Sequence, residues 1–198
     1  MLLYGAGGHA RVLISILNAL NQPVTAIFDD DPTKVNVHNI PIVGRYNADF
    51  QQNMPIILAI GDNAVRHQLA QKITHDFGQI IHPSALIDRR VTMGAGTVII
   101  HRAVVQVDTR LGRHVIVNTG ALVDHDCVLG DFVQIGPGAV LCGNVQIGEG
   151  ALVGAGAVVV PGIRIGRWSV VGAGAVVTRN VPDGAVVWGN PARKIDTQ

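Results

Sequence analysis

The stretch AVVQVD (103–108), TRLGRH (109–114), VIVNTG (115–120), ALVDHD (121–126), CVLGDF (127–132), VQIGPG (133–138) decides the fold, because it repeats every six residues. The third residue of each hexad is aliphatic: Val105, Leu111, Val117, Val123, Leu129 and Ile135. Followed outward, the pattern runs from Ala85 to Asn180 in sixteen uninterrupted hexads. All sixteen third positions, from Ile87 to Val177, are aliphatic or Met. First positions are mostly Ala, Val, Ser or Thr, and Gly fills half of the fourth positions. Such a repeat outranks local propensity as a fold signal. Each hexad supplies one short flat strand of a three-sided coil, so a coil takes eighteen residues. Residues eighteen apart then stack on one face, with about 4.8 Å between coils. The aliphatic third residue and the small first residue point inward. Gly and Asn at the corners permit backbone angles closed to other residues. The sixteen hexads make a little over five coils, and no long loop leaves the prism.

Upstream of this run the period changes. Leu2-Leu3-Tyr4 reads as a short strand, GAGGHA (5–10) as a glycine turn, and Arg11 to Leu20 as a helix with Val12, Ile16 and Leu20 on one face and Leu13 and Leu17 beside them. Further strands are expected at Val24–Phe28, Ile40–Val43 and Ile56–Ile60. A second helix is expected at Ala64–Ile73, with Val65, Leu69 and Ile73 inward. The expected architecture is therefore a small α/β, Rossmann-like unit with a mostly parallel sheet at 1–80, followed by an all-β parallel β-helix of hexapeptide repeats at 81–198.

Composition excludes several classes. Charged residues are 15% of the 198-residue chain and the formal net charge is +1, with no Lys/Arg run, so nucleic-acid binding through phosphates is not expected. No stretch has the length and apolarity of a membrane-spanning helix. Met1 leads straight into the first motif, so no leader is expected, and the expected location is cytoplasmic with Cys127 and Cys142 reduced. Both cysteines read as small packing residues.

Sixteen unbroken hexads resemble the left-handed β-helix of the hexapeptide acyltransferases. The ending Val187-Trp188-Gly189-Asn190-Pro191-Ala192-Arg193 is similar to the Gly-x-Pro-Ala-Arg/Lys ending of that family. The resemblance narrows with GAGGHA at 5–10, Asp29-Asp30, Gly61-Asp62-Asn63 and NTGALVDHDCVLGD at 118–131. These are similar to the nucleotide-aminosugar acetyltransferases of bacterial glycan pathways, including the bacillosamine and perosamine N-acetyltransferases and the sialic acid O-acetyltransferase-like proteins. The resemblance implies the left hand of the helix, acetyl-CoA as co-substrate, a nucleotide-sugar acceptor, and a homotrimer with active sites between neighbouring prisms.

His125 is the candidate base. It lies at a corner between Asp124 and Asp126, and an amine or hydroxyl attacking a thioester must lose a proton. The resemblance assigns His125 as base and Asp126 as its partner. It also places Asn118 at the cleft, Gln134 near the acetyl group where many relatives carry His, and Gly143 one coil above His125. A Gln can donate a hydrogen bond to the thioester but cannot carry a proton. Ala155-Gly156 and Ala173-Gly174 are eighteen apart and would present backbone amides to the CoA arm, with Arg193 and Lys194 as candidates for its phosphates. His101, His114 and His125 are not spaced by multiples of eighteen, which weakens a metal site of the carbonic anhydrase type, and no metal is expected. His101 and His114 read as surface or interface residues.

GAGGHA matches the G-x-G-x-x-A fingerprint, and Asp29 follows Ala10 by 19 residues, the spacing of a ribose-contacting acid. A redox dinucleotide site is disfavoured, because only about 80 residues are available. The expected ligand is instead a nucleotide-sugar diphosphate on Gly7 and Gly8, with His9 near the sugar, Asp29 or Asp30 at the nucleoside, and Gly61, Asp62 and Asn63 at base or sugar. The expected function is acetyl-CoA-dependent N-acetylation of a nucleotide-linked 4-amino sugar. Alternatives are sugar or sialic acid O-acetylation, a metal-dependent prism enzyme, and a nucleotide-sugar-binding scaffold without catalysis.

Overall fold

The computed structural model describes residues 1–195. The N-terminal unit has a three-stranded parallel sheet of β1 (Leu2–Tyr4), β2 (Ala26–Phe28) and β5 (Ile56–Leu58), in the order β2-β1-β5. A small antiparallel hairpin pairs β3 (Asn36–Val37) with β4 (Ile40–Pro41); β4 falls in the expected strand at Ile40–Val43, whereas β3 and the pairing were not expected. Helix α1 (Gly8–Ala19) follows β1, and α2 (Asn63–Ala70) follows β5. The buried stripe of α1 is Ala10, Leu13, Ile14, Ile16 and Leu17, one step round from the expected face.

Around α2 the expectation holds for Ile73, which is buried, and for Leu69, which packs against the same cluster, but fails at Val65. Val65 is 43% exposed, and the one buried helix residue is Arg66, at 1%. Its side chain is covered by both its own unit and the prism. The guanidinium donates from Nη1 to the carbonyls of Ile60 and Gly61 at 3.0 and 3.2 Å, and from Nη2 to Asn63 Oδ1 at 2.9 Å. It also donates across to the prism carbonyls of His114 at 3.1 Å and Phe132 at 2.9 Å. Burial lowers its pKa to about 10, with Asp62 opposing that shift.

The prism is a parallel β-solenoid of about six turns. It starts earlier and ends later than the hexad count, with added strands at Ile80–Ile81 and Val186–Trp188. Each third-position residue pairs with its copy one coil away, as Val105 does with Ile87 and Val123. Third and first positions fill the core, including Val123, Cys127, Leu129 and Val133. The two kinds of glycine have separate causes. Left-handed backbone falls at the sixth hexad position, where Gly96, Gly120 and Gly138 alternate with His114, Asp126, Phe132 and Trp168. Fourth-position glycines instead permit coil stacking: a Cβ on Gly136 would lie 2.7 Å from the backbone nitrogen of Ala155 on the next coil.

The three faces differ. One carries Ile80, Val98 and Ile116 outward, and these pack with Leu3, Leu13, Leu17 and Ile57 of the N-terminal unit. We call it the docked face. The second is an aliphatic face whose outward row is Leu86, Val104, Leu122, Val140, Val158 and Val176. The third is mostly polar outward, with Thr92, Arg110, Gln146 and Arg164. Docking explains a further correction. His114 is not a surface residue but fully buried, between Phe77 at 4.4 Å and Phe132 at 4.9 Å. Burial, with the nearby Arg113 and Arg66 charges, pushes its pKa down to about 4. No helix of the described residues is long and apolar enough to cross a membrane.

Candidate functional site

His125 occupies the edge between the aliphatic and polar faces, because it follows the strand Leu122–Val123 and precedes Val128–Leu129. The two flanking acids divide the work. Asp124 Oδ1 accepts the His125 backbone N–H at 2.8 Å and fixes the turn. Asp126, at φ 59°, turns its carboxylate back so that Oδ2 lies 2.8 Å from His125 Nδ1. A carboxylate only accepts, so Nδ1 carries the proton and Nε2 keeps its lone pair. The hydrogen bond to Asp126, then the charge of Asp124, raises the His125 pKa, and the ring is 53% exposed.

Gly143 is built to this ring. A Cβ on it would lie 2.6 Å from both Cε1 and Nε2 of His125. A groove of about 240 Å³ opens beside this edge on the aliphatic face, lined by Gln106, Leu122, Asp124, Val140 and Cys142. Cys127 lies in the core with its thiol pushed up to about 11 by burial, which suits packing and not nucleophilic attack.

The other prism candidates lie elsewhere. Asn118, Ala155, Gly156 and Ala173 fall on the edge between the docked and aliphatic faces. Asn118 Oδ1 accepts the Thr119 N–H at 2.8 Å. Ala155 and Ala173 are exposed, and their backbone N–H groups donate to no protein acceptor among the described residues. Gln134 points outward from the docked face, and its amide has no hydrogen-bond partner among the described residues. Arg193 and Lys194 form an exposed strand antiparallel to Val187–Trp188. His101, His114 and His125 fall on three different edges.

In the N-terminal unit, three glycines stand apart. Gly7, Gly8 and Gly61 have no positive φ, and a Cβ on any of them would meet nothing within 4 Å. No positive φ and no close packing among the described residues calls for glycine at these positions, and Gly7 is the N-cap of α1. They sit at the carboxyl ends of the paired strands β1 and β5, where open α/β sheets bind ligands. His9 lies beside them, its Nε2 buried without a partner and its pKa lowered to about 4 by burial and by Arg66.

The acids depart from expectation. Asp29 is 8% exposed and committed to the protein, accepting from Ala6 N–H at 2.7 Å, Asp31 N–H at 2.9 Å and Lys34 Nζ at 3.0 Å. Burial opposes its ionisation, but these donors hold its carboxyl below the usual value. Its role here is to tie the glycine turn to the end of β2. Asp30 is exposed, and both its carboxylate oxygens lie 3.0 Å from Tyr4 Oη, which donates to them. Asn63 is likewise diverted: its amide donates to the carbonyls of Gly150 and Ala151 at 3.1 and 3.2 Å, joining α2 to the prism. Asp62 caps α2 through the Val65 N–H at 2.8 Å.

Sequence reasoning missed Arg66, Trp168 and the burial of His114. The hexad pattern gives no sign of which face a second unit covers. The one usable signal was an Arg within the apolar spacing of α2.

Comparison with known proteins accounts for both halves. Residues 1–73 match the family described as PglD N-terminal domain, and residues 126–160 and 144–179 match the bacterial transferase hexapeptide family. A UDP-N-acetylbacillosamine N-acetyltransferase of Bacillus subtilis (strain 168) is 40% identical over 101 residues, which spans 46% of this chain and 47% of that relative. Among solved structures, a histidine-to-alanine variant of GDP-perosamine N-acetyltransferase from Caulobacter crescentus, in complex with CoA and GDP-perosamine, is 39% identical. That match has a TM-score of 0.95 and covers 99% of this chain and 96% of that one. The acetyltransferase domain of PglB from Neisseria gonorrhoeae FA1090, in complex with acetyl coenzyme A, is 36% identical with a TM-score of 0.90, covering 98% of each chain. The fold is thus the left-handed β-helix of these enzymes with their α/β unit attached. The chain belongs to the hexapeptide-repeat acetyltransferases that carry a PglD-type N-terminal domain.

Proposed function

We propose that this protein transfers an acetyl group from acetyl-CoA to the amino group of a nucleotide-linked 4-amino sugar. The observation that carries the reading is the His125–Asp126 pair at 2.8 Å, on an open edge with Nε2 unblocked over Gly143. The amine nitrogen attacks the thioester carbonyl and His125 Nε2 takes its proton. A C–N bond forms, the C–S bond breaks, and the proton passes to the departing thiolate to give free CoA. One histidine suffices, which suits the presence of Gln134 as a donor to the carbonyl oxygen. The amine acceptor is supported by the relatives named for perosamine and bacillosamine.

The unpartnered N–H groups of Ala155 and Ala173 suit an extended pantetheine arm along one edge, with Arg193 in reach of its phosphates. The glycines at 7, 8 and 61 suit the diphosphate and sugar, and Asp30 the nucleoside. The reading includes a homotrimer in a cytoplasmic setting. His125 lies on the edge opposite the docked face that carries Gln134, so one chain cannot bring them together. The aliphatic face leaves Leu86 69% and Leu122 41% exposed, an apolar row that a second copy would cover.

Release of free thiol from acetyl-CoA, scanned over UDP-, dTDP- and GDP-linked 4-amino sugars and sialic acid, tests the reading. Turnover with an amino sugar is expected, at three times the chain mass by sedimentation. Turnover only with a hydroxyl acceptor would favour O-acetylation, and none at all would overturn transfer. Asp126→Asn adds a pH test. Asp126 raises the His125 pKa, so its loss lowers that pKa and keeps His125 deprotonated to lower pH. The acidic limb of kcat/KM is expected to move down, with a lower plateau. An unmoved limb would remove Asp126 from the pair.

A further inference from the structure

Trp168 is held half-open at the edge between the polar and docked faces. It has φ 54°, an uncommon conformation for a bulky residue. The indole lies over Gly150, where any Cβ would collide with the six-membered ring. His67 packs against the indole in a T-shaped arrangement at 5.5 Å and 77°, and in another against Phe132 at 4.9 Å and 86°. The ring is thus fixed from below and from the side, yet 38% of the residue remains exposed. It lines a cleft of about 270 Å³ together with Gly61, Asp62, Gln134, Leu152 and Val170.

The cleft lies on a particular side of the sheet. With the order β2-β1-β5, the glycine turn at the end of β1 is central, Asp30 is on the β2 side, and Gly61 is on the β5 side next to the prism. A nucleotide sugar whose diphosphate sits on that turn has two ends. The acceptor end is assigned to the β5 side, where Gly61 and Asp62 share one cleft with the outward-facing Gln134 of the prism. The cleft combines a partly exposed indole with the Gln134 amide and the exposed Asp62 carboxylate. That is the chemistry of pyranose recognition: ring C–H bonds meet the electron-rich indole face, and hydroxyls meet polar groups at the rim.

We propose that Trp168 is the stacking platform for the sugar ring of the acceptor, and so a specificity-determining residue for the sugar rather than the nucleotide. This rests on the proposed nucleotide-sugar acceptor. The experiment is titration calorimetry of the full chain with the amino-sugar nucleotide that wild type acetylates, and with the matching nucleoside diphosphate lacking the sugar. Trp168→Ala and Trp168→Leu are expected to weaken the sugar nucleotide about tenfold and to leave the nucleoside diphosphate within about twofold. Trp168→Phe should recover most of the loss, and the KM for acetyl-CoA should hold within about twofold in all three. An unchanged sugar-nucleotide affinity would overturn the platform. So would an equal loss for both ligands, which would show a base-stacking or purely structural residue. If wild type acetylates no nucleotide sugar, the acceptor reading falls and the platform with it. If it does and Trp168→Ala binds normally, only the platform falls.

Discussion

His125→Ala is expected to lower kcat by about 10²- to 10⁴-fold, the range that a positioned general base contributes. The KM values for acetyl-CoA and the acceptor should change by no more than a few-fold. The reason is geometric. The ring is 53% exposed, and its one side-chain hydrogen bond is to Asp126, so it holds no other part of the fold in place. The melting temperature should accordingly be that of wild type. His125→Asn should be no better, since an amide can occupy the site but cannot take a proton. Steady-state kinetics with thiol detection reads this directly. Wild-type turnover in the alanine variant would remove His125 as the base, and a loss confined to KM would make it a binding residue.

Arg66→Met is expected to destabilise the protein by about 3–5 kcal/mol, the cost of several buried acceptors left without a donor. Methionine keeps most of the aliphatic volume, so cavity formation is a minor part of the effect. The larger part is polar. The carbonyls of Ile60, Gly61, His114 and Phe132 and the Asn63 side chain each lose a donor. Two of those carbonyls belong to the prism, so the N-terminal unit should release before the prism unfolds. Urea denaturation followed by far-UV circular dichroism and by protection of the α1 amides separates the two events. Coincident transitions at the wild-type midpoint would show that apolar packing alone joins the units.

The prism was legible because its signal is repeated sixteen times and each copy reports the same inward face. Ala103, Ala121 and Ala139 could be assigned to the core from spacing alone, and all three are fully buried. The acid–histidine turn was legible for the opposite reason: Asp124-His125-Asp126 breaks the monotony with side chains the fold does not need. What spacing could not show is where the second unit lies. That one fact decides that His114 is buried, that Val65 is exposed while Arg66 is not, and that Asn63 faces Gly150. Asp29 was misread more locally. Its position after β2 suited a ribose contact, but the adjacent Ala6, Asp31 and Lys34 supply enough donors to occupy it. Trp168 was invisible because a sixth-position residue reads as a corner, whatever it faces.

The C-terminal segment has a consequence for how such a chain remains a discrete particle. A stack of identical coils has no intrinsic length. Its last strands present free amides and carbonyls, to which another stack could add end to end. Here the chain reverses after Trp188, and Arg193–Lys194 runs antiparallel along the final strand of the docked face. The same segment closes the aliphatic sheet, with Gly189 O accepting from Val176 N–H at 2.9 Å and Ala192 N–H donating to Val176 O at 2.8 Å. The ladder is thereby ended by a strand of the wrong polarity, tipped with two cations. The ending that marks the family is also the terminator of a polymer the repeat would otherwise propagate.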